Sequence, residues 1–295
     1  MLSRSQCAHL LFSKEGQRLE GYQLTFELFY CAEWYFPFGK GATIPEVKNM
    51  TRKINGLTSK TNESLFPVPI IIITRDRLID LIESILSYHR YIGTPFEIVI
   101  HDENSSYGPM VRFLKLLERN NFPVYWHNAE SSDMITITRR VSQTVKIHMN
   151  NSKSDYYIVT DPDCALDNVP SHILFIYRTL LEGLNVTTVG AALRWDDWPE
   201  EIRQYPFERF QPPVPQIFMY EGRAVHYISY PIDTTFAMYR RSTVWARVLQ
   251  PAIRVLPPLA VRHLDFYYSR NAVPPDLIYY LKNAGSATHM RHLIS

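Results

Sequence analysis

The chain has 295 residues, 46% hydrophobic and 20% charged, which excludes a disordered or fibrous protein and leaves room for a sizeable core. Lys and Arg number 31 against 29 Asp and Glu, and a formal charge of +2 argues against a dedicated nucleic-acid binder. Three isolated cysteines, Cys7, Cys31 and Cys164, give neither a disulfide framework nor a zinc spacing, so reducing cytoplasm is the expected compartment (host cytoplasm for a viral source).

Residues 1–66 read as an appended arm, with an aromatic stretch from Tyr22 to Phe38 and a polar linker from Asn49 to Ser64. The amino terminus lacks a signal peptide's apolar core, and no apolar run approaches membrane-spanning length, which leaves peripheral membrane contact open. Regular alternation begins at Pro67. Val68 to Thr74 is a continuous apolar run and predicts a buried strand; the stripe Leu78, Ile79, Leu81, Ile82, Ile85, Leu86 predicts a helix. Phe96 to Ile100 predicts a second strand, Pro109 to Arg119 a second helix, and Val124 to Trp126 a short third strand. Asp133 to Met149 reads as a helix with Asp133 as its amino cap. A fourth strand ends at Asp161, and a helix over 170–181 starts at a proline and stops at Gly183.

This alternation predicts an α/β protein with a mostly parallel sheet flanked by helices. Beyond Val186 the pattern becomes irregular. Val186 to Leu193 and Thr234 to Tyr239 read as strands, prolines crowd 199–215, and a helix lies near Asp276 to Lys282. The organisation expected is a single domain over 67–295, with a regular half over 67–166 and a more irregular half over 167–295.

The most informative stretch is the fourth strand running into paired acids, Tyr156-Tyr157-Ile158-Val159-Thr160-Asp161-Pro162-Asp163. Open α/β sheets hold their ligands at the carboxyl ends of strands. Two carboxylates two residues apart in extended chain lie on one side and can share a divalent cation. A structural alternative is that the pair only caps the following helix.

Four patches, in order, resemble the GT-A fold and, within it, the family 2-like glycosyltransferases of a bacterial-type subgroup. They are Pro69-Ile70-Ile71-Ile72-Ile73-Thr74-Arg75; Ile98-Val99-Ile100-His101-Asp102-Glu103-Asn104-Ser105-Ser106; Asp161-Pro162-Asp163; and the set Ala192 to Pro199, Pro231 to Arg240 and Val261 to Leu264. The resemblance covers about 67–290. It implies a nucleotide-diphosphate sugar donor, UDP- or GDP-linked, with Mn²⁺ or Mg²⁺ as the cofactor. It also implies a glycan or lipid-linked glycan acceptor. Two departures stand out: Glu103 replaces a small or amide residue, and the family's Glu-Asp base motif is missing from its usual place, which leaves the base and the inverting outcome open.

Asp163 is the first choice as direct metal ligand; the resemblance implies that Asp161 reaches the cation through water or contacts the ribose. His263 and His289 are candidates for a later ligand, or hydrogen-bonded structural histidines. Thr74, Arg75 and Asp102 are the candidates for base, ribose and phosphate contacts; the alternative for Arg75 is pairing with Asp76 or Asp80. An inverting transfer needs a carboxylate to take the acceptor's proton. Asp196, Asp197 and Asp233 compete, with Asp233 and Asp197 preferred, and Glu208 is a weaker acceptor-site candidate. Trp195 and Trp198 can wall the acceptor or simply pack. Two rival functions remain. A sugar-nucleotide nucleotidyltransferase would carry a glycine-rich loop where Thr74-Arg75-Asp76-Arg77 has no glycine. A catalytically inactive carbohydrate-binding protein on the same fold would dispense with the acid pair, which is intact.

Overall fold

A computed structural model of the chain describes residues 66–128, 133–194, 197–198, 214–268 and 273–283. The appended arm up to residue 65, the proline-rich stretch over 199–213, and Trp195, Asp196, Glu208 and His289 lie outside the described residues.

The alternation read from the sequence is present. Strand β1 spans Val68–Thr74, helix α1 Leu78–Tyr91, β2 Phe96–Glu103, α2 Gly108–Arg119, β3 Val124–His127, α3 Met134–Asn151 and β4 Tyr156–Thr160. Asp133 caps α3 as expected, its carboxylate accepting the Thr136 N–H at 2.9 Å. Next come β5 (Cys164–Leu166), α4 (Ile173–Gly183) and β6 (Thr188–Ala191). Helix α4 begins three residues later than the proline suggested, because Pro170 to His172 form a preceding turn. Gly183 is its last residue rather than the stop beyond it. A Cβ on Gly183 would come within 3.0 Å of the Phe218 ring, so close packing is what glycine provides here.

Beyond β6 the described residues hold five strands and one further α-helix: β7 (Gln216–Tyr220), β8 (Arg223–Ser229), β9 (Ala237–Arg240), β10 (Ala252–Val255), β11 (Val261–His263) and α5 (Pro275–Asn283). A 3-10 turn over Leu264–Tyr267 follows β11. The large sheet has the order β3-β2-β1-β4-β9-β6-β10-β8-β7, and β11 pairs with β5 in a small second sheet.

The first four neighbours run parallel, but β9 is antiparallel to both β4 and β6, β8 is antiparallel to β10, and β7 is antiparallel to β8. The sheet is therefore mixed, parallel chiefly where helices carry the crossovers. The β7–β8 connection is only Glu221-Gly222, with φ of 46° and 76°, a two-residue turn that admits antiparallel pairing alone.

The sheet buries both faces. Ile70, Ile72, Ile98, Ile100 and Ile158 pack with Leu81, Ile85, Leu114 and Tyr177 on one side. Ile71, Val99, Tyr157 and Val159 pack with Val141, Val145 and Met149 of α3 and with Trp245 on the other. Burial on two faces is why β1 and β4 read as continuous apolar runs.

The antiparallel placement of β9 has a positional result: its entry, Asp233 to Phe236, lies beside the exit of β4. The Asp161 N–H donates to the Thr234 carbonyl at 2.8 Å. Gly190 of β6 admits this entry. A Cβ there would stand 2.0 Å from Ile232 Cδ1, 3.1 Å from Ile232 Cγ1 and 3.2 Å from the Ala237 Cα. Gly190→Ala is expected to lower stability by about 1–3 kcal/mol through overpacking. Ile232→Val, which removes the nearest methyl, should recover part of that loss in the double variant. Strictly additive denaturation energies would show that Ile232 is not the contact that matters.

Candidate active site

Helix α1 holds the acid-bearing turn in place. Ser84 Oγ donates to the Pro162 carbonyl at 2.7 Å, Ser87 Oγ accepts the Leu166 N–H at 2.9 Å, and Tyr88 OH donates to the Cys164 carbonyl at 2.7 Å. The three sit at helical spacing on the face turned toward the turn. The β5–β11 ladder then sets His263 opposite Cys164, and the Leu264 N–H donates to the Asp163 carbonyl at 2.8 Å. The 3-10 turn after β11 swings Asp265 back to the same place.

Asp163, His263 and Asp265 thereby each offer a ligand atom within 4.8 Å of one another. Two carboxylates and an imidazole suit a divalent cation such as Mn²⁺. His263 Nε2 is 3.7 Å from Asp163 Oδ1. Burial alone would lower the His263 pKa, but Asp163, Asp265 and Asp161 together raise it above its ordinary value.

Asp161 stands apart from this group. Its carboxylate accepts the Thr234 hydroxyl. Burial, reinforced by the Asp163 charge, pushes its pKa up to about 7. The structure thus brings Asp163 and His263 together as the sequence suggested and adds Asp265.

Arg77 was also missed. Its buried guanidinium donates through Nε to Asp80 Oδ2 at 2.7 Å, pairs with Asp265, and lies 3.5 Å from Asp163 Oδ2. Tyr268 OH donates to Asp80 at 2.5 Å, and the Ile79 N–H donates to Asp276 at 2.8 Å. Asp80 rather than Asp76 therefore has an arginine partner, and that arginine is Arg77, not Arg75. The signal available in the sequence was the second arginine of Arg75-Asp76-Arg77 and an acid two residues after His263.

A second cluster lies at the ends of β1 and β2. Thr74 Oγ1, Arg75 Nε, Asp76 Oδ2 and Asp102 Oδ1 are buried without a hydrogen-bond partner among the described residues. Asp76 has φ of 56°, and its Oδ1 accepts the N–H groups of Ser106 and Tyr107 at 2.6 and 2.7 Å. Asp102 Oδ2 accepts the Ser105 N–H at 3.0 Å, while burial raises its pKa. Such polar atoms cost free energy unless something else satisfies them, which makes this cluster a candidate place for a polar ligand.

Glu103 points the other way. It takes Arg140 at 3.0 and 2.5 Å and His101 Nε2 at 2.7 Å, while His101 Nδ1 meets Thr144 Oγ1 at 2.8 Å. Burial alone would raise the Glu103 pKa, but these hydrogen bonds hold it below the ordinary value. The departure noted at Glu103 thus fastens α3 to the sheet.

The two preferred base candidates differ in surroundings. Asp197 receives Tyr267 OH at 2.6 Å and lies 3.5 and 3.6 Å from Arg262 and Arg194, so its oxygens are engaged in holding its own segment. Asp233 is half-buried beside Asp161 and receives only the Thr235 hydroxyl, at 2.9 Å, among the side-chain hydrogen bonds described. Trp198 is buried and stacks on Phe266 at 4.6 Å, a packing role.

No protein-family model matches this chain, and no curated protein matches it. Solved structures similar to it include S. aureus TarS in complex with UDP-GlcNAc, at 10% identity over 77% of this chain and 69% of that one, TM-score 0.40. A mannosyltransferase from Pyrobaculum calidifontis, in complex with GDP-Man and Mn²⁺, is similar at 13% over 58% and 46%, TM-score 0.32. Glucosyl-3-phosphoglycerate synthase from Mycobacterium tuberculosis, in complex with Mn²⁺ and UDP-glucose, is similar at 11% over 57% and 52%, TM-score 0.28. The match spans less than half of the mannosyltransferase. All three are nucleotide-sugar glycosyltransferases of the GT-A class, whose motifs the sequence resembles. They set no residue's role in this chain.

Because the folded protein keeps Asp161 protonated to about pH 7 while an unfolded aspartate releases its proton near 4, its burial costs stability increasingly as pH rises through that window. In the presence of chelator, Asp161→Asn should therefore exceed the parent in stability by about 1–3 kcal/mol at pH 8. The advantage should shrink toward zero as pH falls to 4. Denaturant titrations across pH check this, and an advantage that grows on acidification would reverse the assignment.

Proposed function

We propose that this protein is a divalent-cation-dependent glycosyltransferase that moves a sugar from a nucleotide-diphosphate sugar to a hydroxyl acceptor with inversion. The observation that carries this reading is the convergence of Asp163, His263 and Asp265 to within 4.8 Å at the carboxyl end of the sheet's central parallel strand, next to a crevice of unsatisfied polar atoms. The donor half is 67–166 and the acceptor half 167–295.

Thr74, Asp76 and Asp102 supply acceptors for N–H and O–H groups of a nucleoside, and Arg75 a planar donor for phosphate oxygens. Asp163, His263 and Asp265 would hold Mn²⁺ or Mg²⁺, which when bound supplies Lewis-acid neutralisation of the diphosphate leaving group. Asp161, oriented by Thr234, faces the ribose or a water between it and that group. Asp233 takes the proton of the attacking hydroxyl, held by Thr235. Apposition to Asp161 keeps Asp233 on the cleft side of the β4–β9 seam. The acceptor is a glycan, free or lipid-linked.

Thermal-shift titration with UDP- and GDP-sugars and Mn²⁺ tests the donor site directly. The parent should gain stability from donor and metal together, and Asp163→Asn should lose the metal-dependent part of the shift. An undiminished shift in Asp163→Asn would remove the proposed metal centre. Asp233→Asn should leave donor affinity within about twofold and lower kcat by about 10²–10⁴. Unchanged turnover would eliminate Asp233 as the base.

A further inference from the structure

Away from the cleft, one outer face of the molecule is both cationic and apolar. From Met134 to Ser154 and from Thr234 to Leu264 the sequence contains no Asp or Glu, whereas it carries Arg139, Arg140, Lys146 and Lys153 in the first stretch and Arg240, Arg241, Arg247, Arg254 and Arg262 in the second. In a chain of net charge +2, such segregation makes a local positive field.

The fold joins the two stretches. A shallow depression is lined by Ile135, Thr138, Arg139, Ser142 and Lys146 of α3 together with Trp245, and Arg247 contacts the Met134 sulfur at 3.3 Å. Around it Ile135 is 75% exposed, Val244 79%, Val248 54% and Met134 41%. Arg139, Lys146 and Arg247 are exposed among them. The acid at the edge, Asp133, is engaged in capping α3.

We propose that this face docks on an anionic lipid membrane, with Ile135, Val244 and Val248 entering the headgroup region and Arg139, Lys146 and Arg247 meeting lipid phosphates. The occupant follows from charge complementarity. Apolar side chains singly set among basic ones, with no acid between, match an interface that is apolar beneath and negative above. The inference is independent of the donor chemistry, since none of these residues lines the cleft.

The test is co-sedimentation of the full chain with phosphatidylcholine vesicles, with and without one-third phosphatidylglycerol. The parent should bind the anionic vesicles, release them at high salt, and bind pure phosphatidylcholine far more weakly. Removing charges in Arg139→Gln, Lys146→Gln and Arg247→Gln should weaken binding by roughly fivefold per charge. Ile135→Ser with Val244→Ser should weaken it at unchanged charge. Unchanged circular dichroism and thermal midpoint in each variant show that the fold is intact. Absence of binding to anionic vesicles, equal binding to both compositions, or indifference to either set of substitutions would overturn the proposal. So would concentration-dependent self-association in solution that Ile135→Ser with Val244→Ser abolishes, because the face would then belong to a second copy of the chain.

Discussion

The arrangement of the cleft depends on one buried guanidinium. Asp80, Asp163, Asp265 and Asp276 are all drawn into the same end of the sheet and all are buried, a concentration of negative charge that would not stay folded unaided. Arg77 sits among them, bonded to Asp80 and Asp265 and close to Asp163, with its face toward the Tyr280 ring. Burial would lower its pKa, yet the surrounding acids raise it well above the ordinary arginine value, so its charge is fixed at every pH where the protein folds. A permanent cation makes a concentrated group of buried acids compatible with folding. Lysine would be a poor substitute, because it lacks the fork that reaches two carboxylates at once.

Strand alternation divides the labour at β2. Asp102 points to the crevice with Thr74, whereas His101 and Glu103 point to α3 and clamp it through Arg140 and Thr144. Neighbouring acids in one strand therefore have unrelated surroundings, one beside Thr74 and one fastening a helix, solely because side chains reverse direction every residue. The His127 ring lies tilted against His101 with centroids 4.3 Å apart, and burial together with that neighbour lowers its pKa to about 4, so the clamp stays neutral on that side.

Legibility in the sequence followed physical range. The elements of the first half were readable because buried parallel strands and amphipathic helices carry continuous or periodic apolar signals; β1 ends at Thr74 as its composition predicts. Strands β7 and β8 escaped because they are largely exposed, and β10 and β11 because they are only four and three residues long. The mixed sheet was invisible because sequence alone does not say that β9 inserts between β4 and β6. In the site, Asp161 and Asp163 were singled out through their setting after the fourth strand and His263 as a later side chain. Asp265, Arg77 and Asp76 were not, since what recruits them is a 3-10 turn, a buried ion pair and a positive φ. Arg77 and Asp265 are tied by contacts spanning nearly the whole described chain.

That span has a consequence for biosynthesis. Arg77 meets Asp265 across 188 positions, and the amide that opens α1 meets Asp276 across 197. Translation delivers β1 to β4 and their helices long before it delivers these partners. A nascent chain on the ribosome therefore holds Asp163 without His263 or Asp265, and Arg77 without half of its counter-charges. Assembly of the cluster is deferred until Asp276 has cleared the exit tunnel, so the acids and the guanidinium that balances them come together only near the end of synthesis.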